Sequence, residues 1–367
     1  MRVAVVGPTH PFKGGVAAHT TELAHRLAAD GHDVDLVSWS RLYPRLLYPG
    51  EQQVPGGDPD VPVYPRTRRR LSWARPDSWL REGRALRGHD LVVLVHVVPA
   101  VVPAHLALLA ALGRGPGRPR TVAIVHNVLP HEPHPGARTL VRRLLRSVDR
   151  VLVHSSSQAE LASRLAAPTD VRVAALPPHL PGGPPVEREP YDGPTRLLSL
   201  GIVRDYKGVD LLLQALATVP GPTLTIAGEL WGEAGRRVRR LAQDPRVRAR
   251  VTVLEGYLPA TRLPALLAAH DVLALPYRSA TGSQNALLGH RHGLPVLATR
   301  TGTFATDVTD DLDGLLVEPG DIPALADALR RLADASLVQR LRNGVTAPDL
   351  DTPWRRYLQA LLGEGAA

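Results

Sequence analysis

The sequence contains no cysteine, which removes disulfides, zinc–cysteine sites and thiol chemistry at once. A reducing cytoplasm fits that absence without being proved by it. Aromatic residues make up only 4% of the chain, so a core must be built from Leu, Val and Ala. No uncharged apolar run is long enough to cross a bilayer. The longest, over 91–112, is interrupted by His96, Pro99, Pro103 and His105, and reads as a short strand followed by a helix. The opening run Met1-Arg2-Val3-Ala4-Val5-Val6 breaks at Gly7. It is too short for a secretory signal and reads as a first buried strand.

What is present points to a packed protein. The chain has 367 residues, 44% hydrophobic and 22% charged, which suggests about two domains. Its net charge is +9, from 44 basic and 35 acidic residues. Arginines cluster at 66–70, 142–143 and 236–250. Such charge suits nucleic acid, an anionic lipid surface or a phosphorylated substrate. No nucleic-acid motif accompanies it, so nucleic acid is not an expected partner. An arginine-rich composition would place arginine on every exposed face anyway, so peripheral membrane contact and plain solvation both stay open.

The pattern along the chain is strand, loop, helix, strand. A β-branched run at 3–6 precedes Gly14-Gly15 and a helical stretch over 16–29, which Gly31 ends as a C′ residue. Further strands read at 33–37, 91–95, 121–125 and 150–153. Continuous apolar strands with helices between them imply a parallel sheet covered on both faces. A Pro/Gly-rich linker occupies 181–194. The pattern then restarts, with strands at 196–200, 223–227, 251–254, 272–275 and 295–298, and helices at 209–217, 263–269 and 323–332. The expected architecture is two doubly wound, Rossmann-like α/β domains facing a cleft, over 1–180 and 195–350. A final helical stretch, within 351–367, would cross back to the first domain.

Ligands of such sheets bind outside the carboxyl ends of the strands, and the motifs fall there. Lys13-Gly14-Gly15-Val16 follows the first strand and opens a helix, offering free amides to a phosphate. Alone, it is also what a plain strand-to-helix turn looks like. Gly201-Ile202-Val203-Arg204-Asp205-Tyr206-Lys207-Gly208 follows the first strand of the second half. Two cations three residues apart suit a diphosphate, and they equally suit a solvated basic loop. Ser279-Ala280-Thr281-Gly282-Ser283-Gln284-Asn285 makes a small-residue nest before a helix, or simply an N-cap at Ser283.

In order and spacing these pieces resemble the GT-B fold and, within it, family four of the retaining glycosyltransferases. Ala227-Gly228-Glu229, Gly256-Tyr257-Leu258-Pro259, Gly293-Leu294-Pro295-Val296 and Pro319-Gly320-Asp321 extend the resemblance over nearly the whole chain. It implies an acceptor-binding first domain and a second domain that binds a nucleotide-diphosphate sugar. It makes Lys207 the diphosphate lysine, with Arg204 beside it, two positions late because Ile202 holds the usual place. Gly14, Gly15, Gly282 and Ser283 would cradle the donor, Glu229 would contact it, and Tyr257 would face the base or fill the core. His126 would stand by the transferred sugar, and His131 and Glu132 would contact the acceptor.

One departure bears on function. The family carries two glutamates seven residues apart in the donor domain. Their positions fall on Ala280 and Leu288. The resemblance therefore implies a retaining hexosyltransferase acting on a glycan, lipid-linked or small-molecule acceptor. The missing carboxylates favour an alternative, a non-catalytic sugar-nucleotide-binding partner in a polysaccharide-synthesis complex. A sugar-nucleotide epimerase would need an acid/base pair that the sequence does not offer. No metal or other cofactor is expected: there is no Asp-x-Asp in a strand-end loop, and His126, His131 and His134 lack a matched carboxylate set. The expected location is cytoplasmic, with peripheral contact at the inner membrane surface left open.

Overall fold

The computed structural model describes residues 1–42, 44, 52–54, 59, 61–113, 115–129, 136–189, 191–280 and 283–363. Internal contacts divide these into two units, one made of 1–179 and 349–367, the other of 180–348.

The first unit runs β1 (Arg2–Val6), α1 (Gly15–Ala29), β2 (Asp33–Arg41), β3 (Thr67–Ser72), α2 (Pro76–Ala85), β4 (Leu91–His96) and α3 (Val102–Leu112). It continues with β5 (Arg120–Val125), α4 (Ala137–Ser147), β6 (Arg150–Val153), α5 (Ser156–Ala166) and β7 (Val171–Val173). Its sheet has the order β3-β2-β1-β4-β5-β6-β7, and all its pairings are parallel. β1, β4 and β5 are apolar at nearly every position, which is what burial on both faces demands. One core joins the sheet to α3, α4 and α5, and another joins it to α1. Gly31 ends α1 at φ 83°, as expected of a C′ glycine, and His32 N donates back to Leu27 O at 3.1 Å.

The second unit runs β8 (Arg196–Leu200), α6 (Val209–Leu216), β9 (Thr223–Gly228), α7 (Gly232–Ala242), β10 (Val251–Glu255), α8 (Leu263–Ala268) and β11 (Val272–Leu275). α9 (Asn285–Arg291), β12 (Val296–Thr299), α10 (Phe304–Asp307), β13 (Gly314–Val317), α11 (Ile322–Leu332) and α12 (Ala335–Gly344) follow. The sheet order is β10-β9-β8-β11-β12-β13, again all parallel. The last helix, α13 (Asp351–Leu362), belongs to the first unit, where Trp354, Tyr357 and Leu361 join the core on the α1 side.

Two features differ from the sequence reading. The arginine cluster at 66–70 is largely strand β3, on the sheet edge, where Arg69 and Arg70 reach solvent while Leu71 and Ser72 are buried. The segment read as a linker is pinned to the second unit. Arg188, Arg196 and Arg342 converge on the nearly buried Asp271, at 2.9, 3.0 and 3.2 Å, and Arg196 also lies 3.7 Å over the Tyr191 ring. Among the described residues no helix is long and apolar enough to cross a membrane.

Candidate active site

In the second unit, β8 pairs with β9 on one side and β11 on the other. The loops leaving β8 and β11 therefore diverge, and such a switch point is where open α/β sheets take ligands. Arg204 precedes a single 3₁₀ turn, Asp205–Lys207, and Gly208 at φ 64° leads into α6. A Cβ at Gly208 would stand 2.0 Å from the Pro276 carbonyl oxygen, so only glycine lets this loop lie against the end of β11.

Lys207 turns inward. Its Nζ donates to Leu200 O at 3.5 Å and lies 5.6 Å from the Tyr277 ring centroid. Among the described residues no carboxylate is ion-paired with it. Burial lowers its pKa; Tyr206 opposes that and Arg204 adds to it. The chain has just two lysines, Lys13 and Lys207, and both lie in loops that the sequence marks for phosphate. A lysine ammonium is a compact point charge, suited to a phosphate oxygen in a confined space. Arg204 turns the other way. It is exposed, with its guanidinium 4.4 Å above the Trp231 ring, a cation–π seat.

A clamp that the sequence reading missed holds the Lys207 turn. Arg278, just past β11, donates from its backbone N to Tyr206 O at 2.7 Å and from Nη1 to Asp205 O at 2.6 Å. The same guanidinium forks onto Asp210 at 2.8 and 2.7 Å, and Arg237 adds a third bond to Asp210 at 3.0 Å. Asp210 is 5% exposed. Arg278 and Asp210 stand 68 residues apart, so no local signal pairs them.

The other second-unit residues gather around these loops. Glu229 follows β9 and accepts from Trp231 Nε1 at 2.8 Å. Tyr257 lies two residues past β10 and is half-buried. Ser283 does not N-cap α9; Gln284 holds that position, and Ser283 Oγ accepts from Asn285 N at 3.4 Å. Asn285 Nδ2 donates to Tyr277 Oη at 3.3 Å and to Leu200 O at 3.5 Å. Ala280 N donates to Thr301 Oγ1 at 3.2 Å, and Leu288 is 2% exposed inside α9. Gly282, like His131, Glu132 and His134, lies outside the described residues.

In the first unit, Gly14 at φ 105° precedes α1, and its carbonyl accepts from Ala17 and Ala18 N at 3.0 and 3.1 Å. A Cβ at Gly15 would meet His179 Nε2 at 3.5 Å. His126 directly follows β5 and belongs to a cluster of four histidines. His19 is at its centre, 5.2 Å from His126, 6.1 Å from His154 and 5.4 Å from His179, ring centre to ring centre. The His126 and His154 rings are 4.8 Å apart. His154 follows β6 and shares its Nδ1 with Ala174 O at 3.3 Å. Trp354 of α13 stacks on His19 at 5.4 Å, and Tyr357 meets it edge-on. The sequence hint was the spacing of His19, Leu23 and Leu27, which puts His19 on the buried face of α1. Among the described residues no group of three or more His, Asp or Glu has the geometry to hold a metal ion.

Burial lowers the pKa of all four rings, and for His19, His126 and His154 neighbouring histidines add to the effect. His154 is lowered to about 4 from an ordinary 6.5. The cluster is thus neutral at pH 7, and the unfolded chain binds more protons than the folded one as pH falls toward 4. Stability should drop in that window by roughly 1.4 kcal/mol per pH unit for each ring that titrates. Thermal melts between pH 7 and pH 5 check this: the melting temperature should fall, and fall less in His154→Gln. Equal slopes in the two proteins would remove the cluster from the explanation.

Comparison with known proteins shows the family and the fold. Residues 13–176 match the model of Glycosyltransferase Family 4, and residues 194–335 match that of Glycosyl transferases group 1. A GDP-mannose-dependent α-(1-6)-phosphatidylinositol monomannoside mannosyltransferase of Mycolicibacterium smegmatis is 30% identical, over 71% of this chain and 72% of the relative. A D-inositol 3-phosphate glycosyltransferase of Acidothermus cellulolyticus is 27% identical, over 95% and 85%. The solved sucrose-phosphate synthase of Thermosynechococcus elongatus superposes with TM-score 0.72 at 20% identity, covering 99% of both chains. An Anabaena protein in complex with UDP superposes at 0.67 with 16% identity, over 99% of this chain and 100% of that one. The chain belongs to the family-four, group 1 glycosyltransferases and has their GT-B fold.

Proposed function

We propose that this glycosyltransferase retains configuration at the sugar carbon and moves a hexose from a nucleotide-diphosphate sugar to a glycan, lipid-linked or small-molecule acceptor. The observation that carries the reading is Lys207, a half-buried ammonium at the switch point of the second sheet, its pKa lowered by burial, with no carboxylate paired to it among the described residues. Such a cation is stabilised by an incoming anion, and a departing diphosphate is one. Arg204 swings from Trp231 to the same anion, and Glu229, Tyr257 and Ser283 contact the rest of the donor. In the first unit Gly14 and Gly15 present backbone amides, and neutral His126 hydrogen-bonds the transferred sugar. The chain supplies the positive charge itself, so the reading needs no metal. It places the enzyme in the cytoplasm, peripheral at the inner membrane surface.

Lys207→Ala should cut kcat/KM for donor turnover on the order of 10²–10³-fold, the effect of removing one preorganised electrostatic contact. Donor hydrolysis, measured with UDP-, GDP-, ADP- and TDP-sugars, gives the readout. Turnover in the variant equal to wild type would refute the assignment. Loss of the carboxylates at Ala280 and Leu288 favours one other reading, a sugar-nucleotide-binding partner without catalysis. Tight donor binding with no turnover against any acceptor would decide for it.

A further inference from the structure

We propose that the outer face formed by α2, α3 and α4 of the first unit is a docking surface for anionic lipid. This gives the peripheral contact of the preceding reading a location and a chemistry.

α3 is the centre of the face. None of its eleven residues is charged. Leu106 and Leu109 are half-buried and Ala110 is exposed. With Gly113, Arg118 and Ser147 they line an open hollow of about 300 Å³ between the ends of α3 and α4. Basic helices flank α3, packed on it from either side. α4 exposes Arg138, Arg142, Arg143 and Arg146, and none of them is ion-paired among the described residues. α2 exposes Arg81 and Arg84, and Arg87 follows just past its end. On that side Trp73 and Leu80 are also exposed, at 42% and 39%. The three helices expose one acid, Asp77; Glu82 is 2% exposed.

An apolar strip between two basic stripes matches the layering of a bilayer surface. Arginines meet anionic headgroups, and Leu, Ala and Trp enter the headgroup–acyl boundary beneath them. Nucleic acid is a poorer match. It needs a continuous cationic track along its phosphates, and α3 interrupts the charge here. The α4 arginines lie outside the donor and histidine sites, so docking and chemistry can be tested separately.

The test is cosedimentation of the full-length protein with vesicles of phosphatidylcholine mixed with phosphatidylglycerol, against vesicles of phosphatidylcholine alone. The protein should pellet with the anionic vesicles, stay in solution with the neutral ones, and release at high salt. Arg142→Glu combined with Arg143→Glu should weaken vesicle binding at least about tenfold, given roughly 1 kcal/mol per basic residue at an anionic surface. Leu106→Ser with Leu109→Ser should weaken it while leaving the salt dependence intact. Donor hydrolysis in solution should match wild type in the arginine variant, so failure of docking is distinct from failure of the enzymatic reading. Wild-type vesicle affinity in the arginine variant would overturn the proposal. Equal pelleting with both kinds of vesicle, or with neither, would do the same. So would tighter binding to single-stranded RNA than to anionic vesicles.

Discussion

Asp210→Ala should lose about 3 kcal/mol of stability and most of the donor affinity. Breaking a buried ion pair by removing one partner costs roughly 3–5 kcal/mol, because the other charge is left uncompensated. Here the figure belongs at the low end, since Arg278 and Arg237 are partly solvent-exposed and can turn to water. Burial works to raise the Asp210 pKa, but the fork from Arg278 and the charges of Arg278 and Arg237 outweigh it, and the net shift is downward. The carboxylate is therefore held ionised as the hub of the clamp. Arg278 reaches from that hub to the carbonyl of Asp205, within the turn that ends in Lys207. Without the hub the turn keeps the backbone bond from Arg278 N to Tyr206 O but loses the anchored guanidinium, and Lys207 is held less firmly. KM for donor should rise more than kcat falls, because the chemistry of Lys207 is intact but its placement is not. Asp210→Asn keeps an acceptor and should fall between wild type and alanine. Urea denaturation and donor kinetics on the two variants measure both effects. Donor kinetics unchanged in Asp210→Ala would show that the Lys207 turn holds itself.

Trp354→Ala should be the more damaging change to the fold, at about 3–5 kcal/mol, the usual cost of truncating a buried aromatic. Trp354 is 1% exposed. Its indole N–H donates to Pro178 O at 2.7 Å, its ring stacks on His19, and Arg26 lies 5.8 Å over it. Removing it opens a void beneath the histidine cluster and loosens α13. Trp354→Phe retains most of the packing and forfeits the hydrogen bond, a loss of about 1 kcal/mol. Chemical denaturation of the pair separates the two contributions. A loss under 1 kcal/mol in the alanine variant would mean that α13 is held by its other contacts.

Much of the frame was legible before the structure. The strands β1, β4, β5, β6, β11 and β12 are largely continuous apolar runs, and that pattern is dictated by burial on both faces. β3 was not legible, because an edge strand needs one buried end and its arginines conceal it. β13 was visible only as a motif, Gly314-Leu315-Leu316-Val317, and not as a strand. Of the site, the loop positions of Gly14, Gly15, His126, Arg204 and Lys207 could be read because each follows a strand. Their surroundings could not.

The sequence by itself determined the parallel α/β class, the position of the glycine loops and the family. Each depends on local composition or on spacing along the chain. The tertiary structure alone decided that Lys207 turns in and Arg204 turns out, since the turn is held by Arg278 and the outward seat is the Trp231 ring. It alone brought His19, His126, His154 and His179 together with Trp354 and Tyr357. Those residues come from α1, the ends of β5 and β6, the segment after β7, and α13. Strand order and helix docking set such meetings, and neither is written in the spacing between residues.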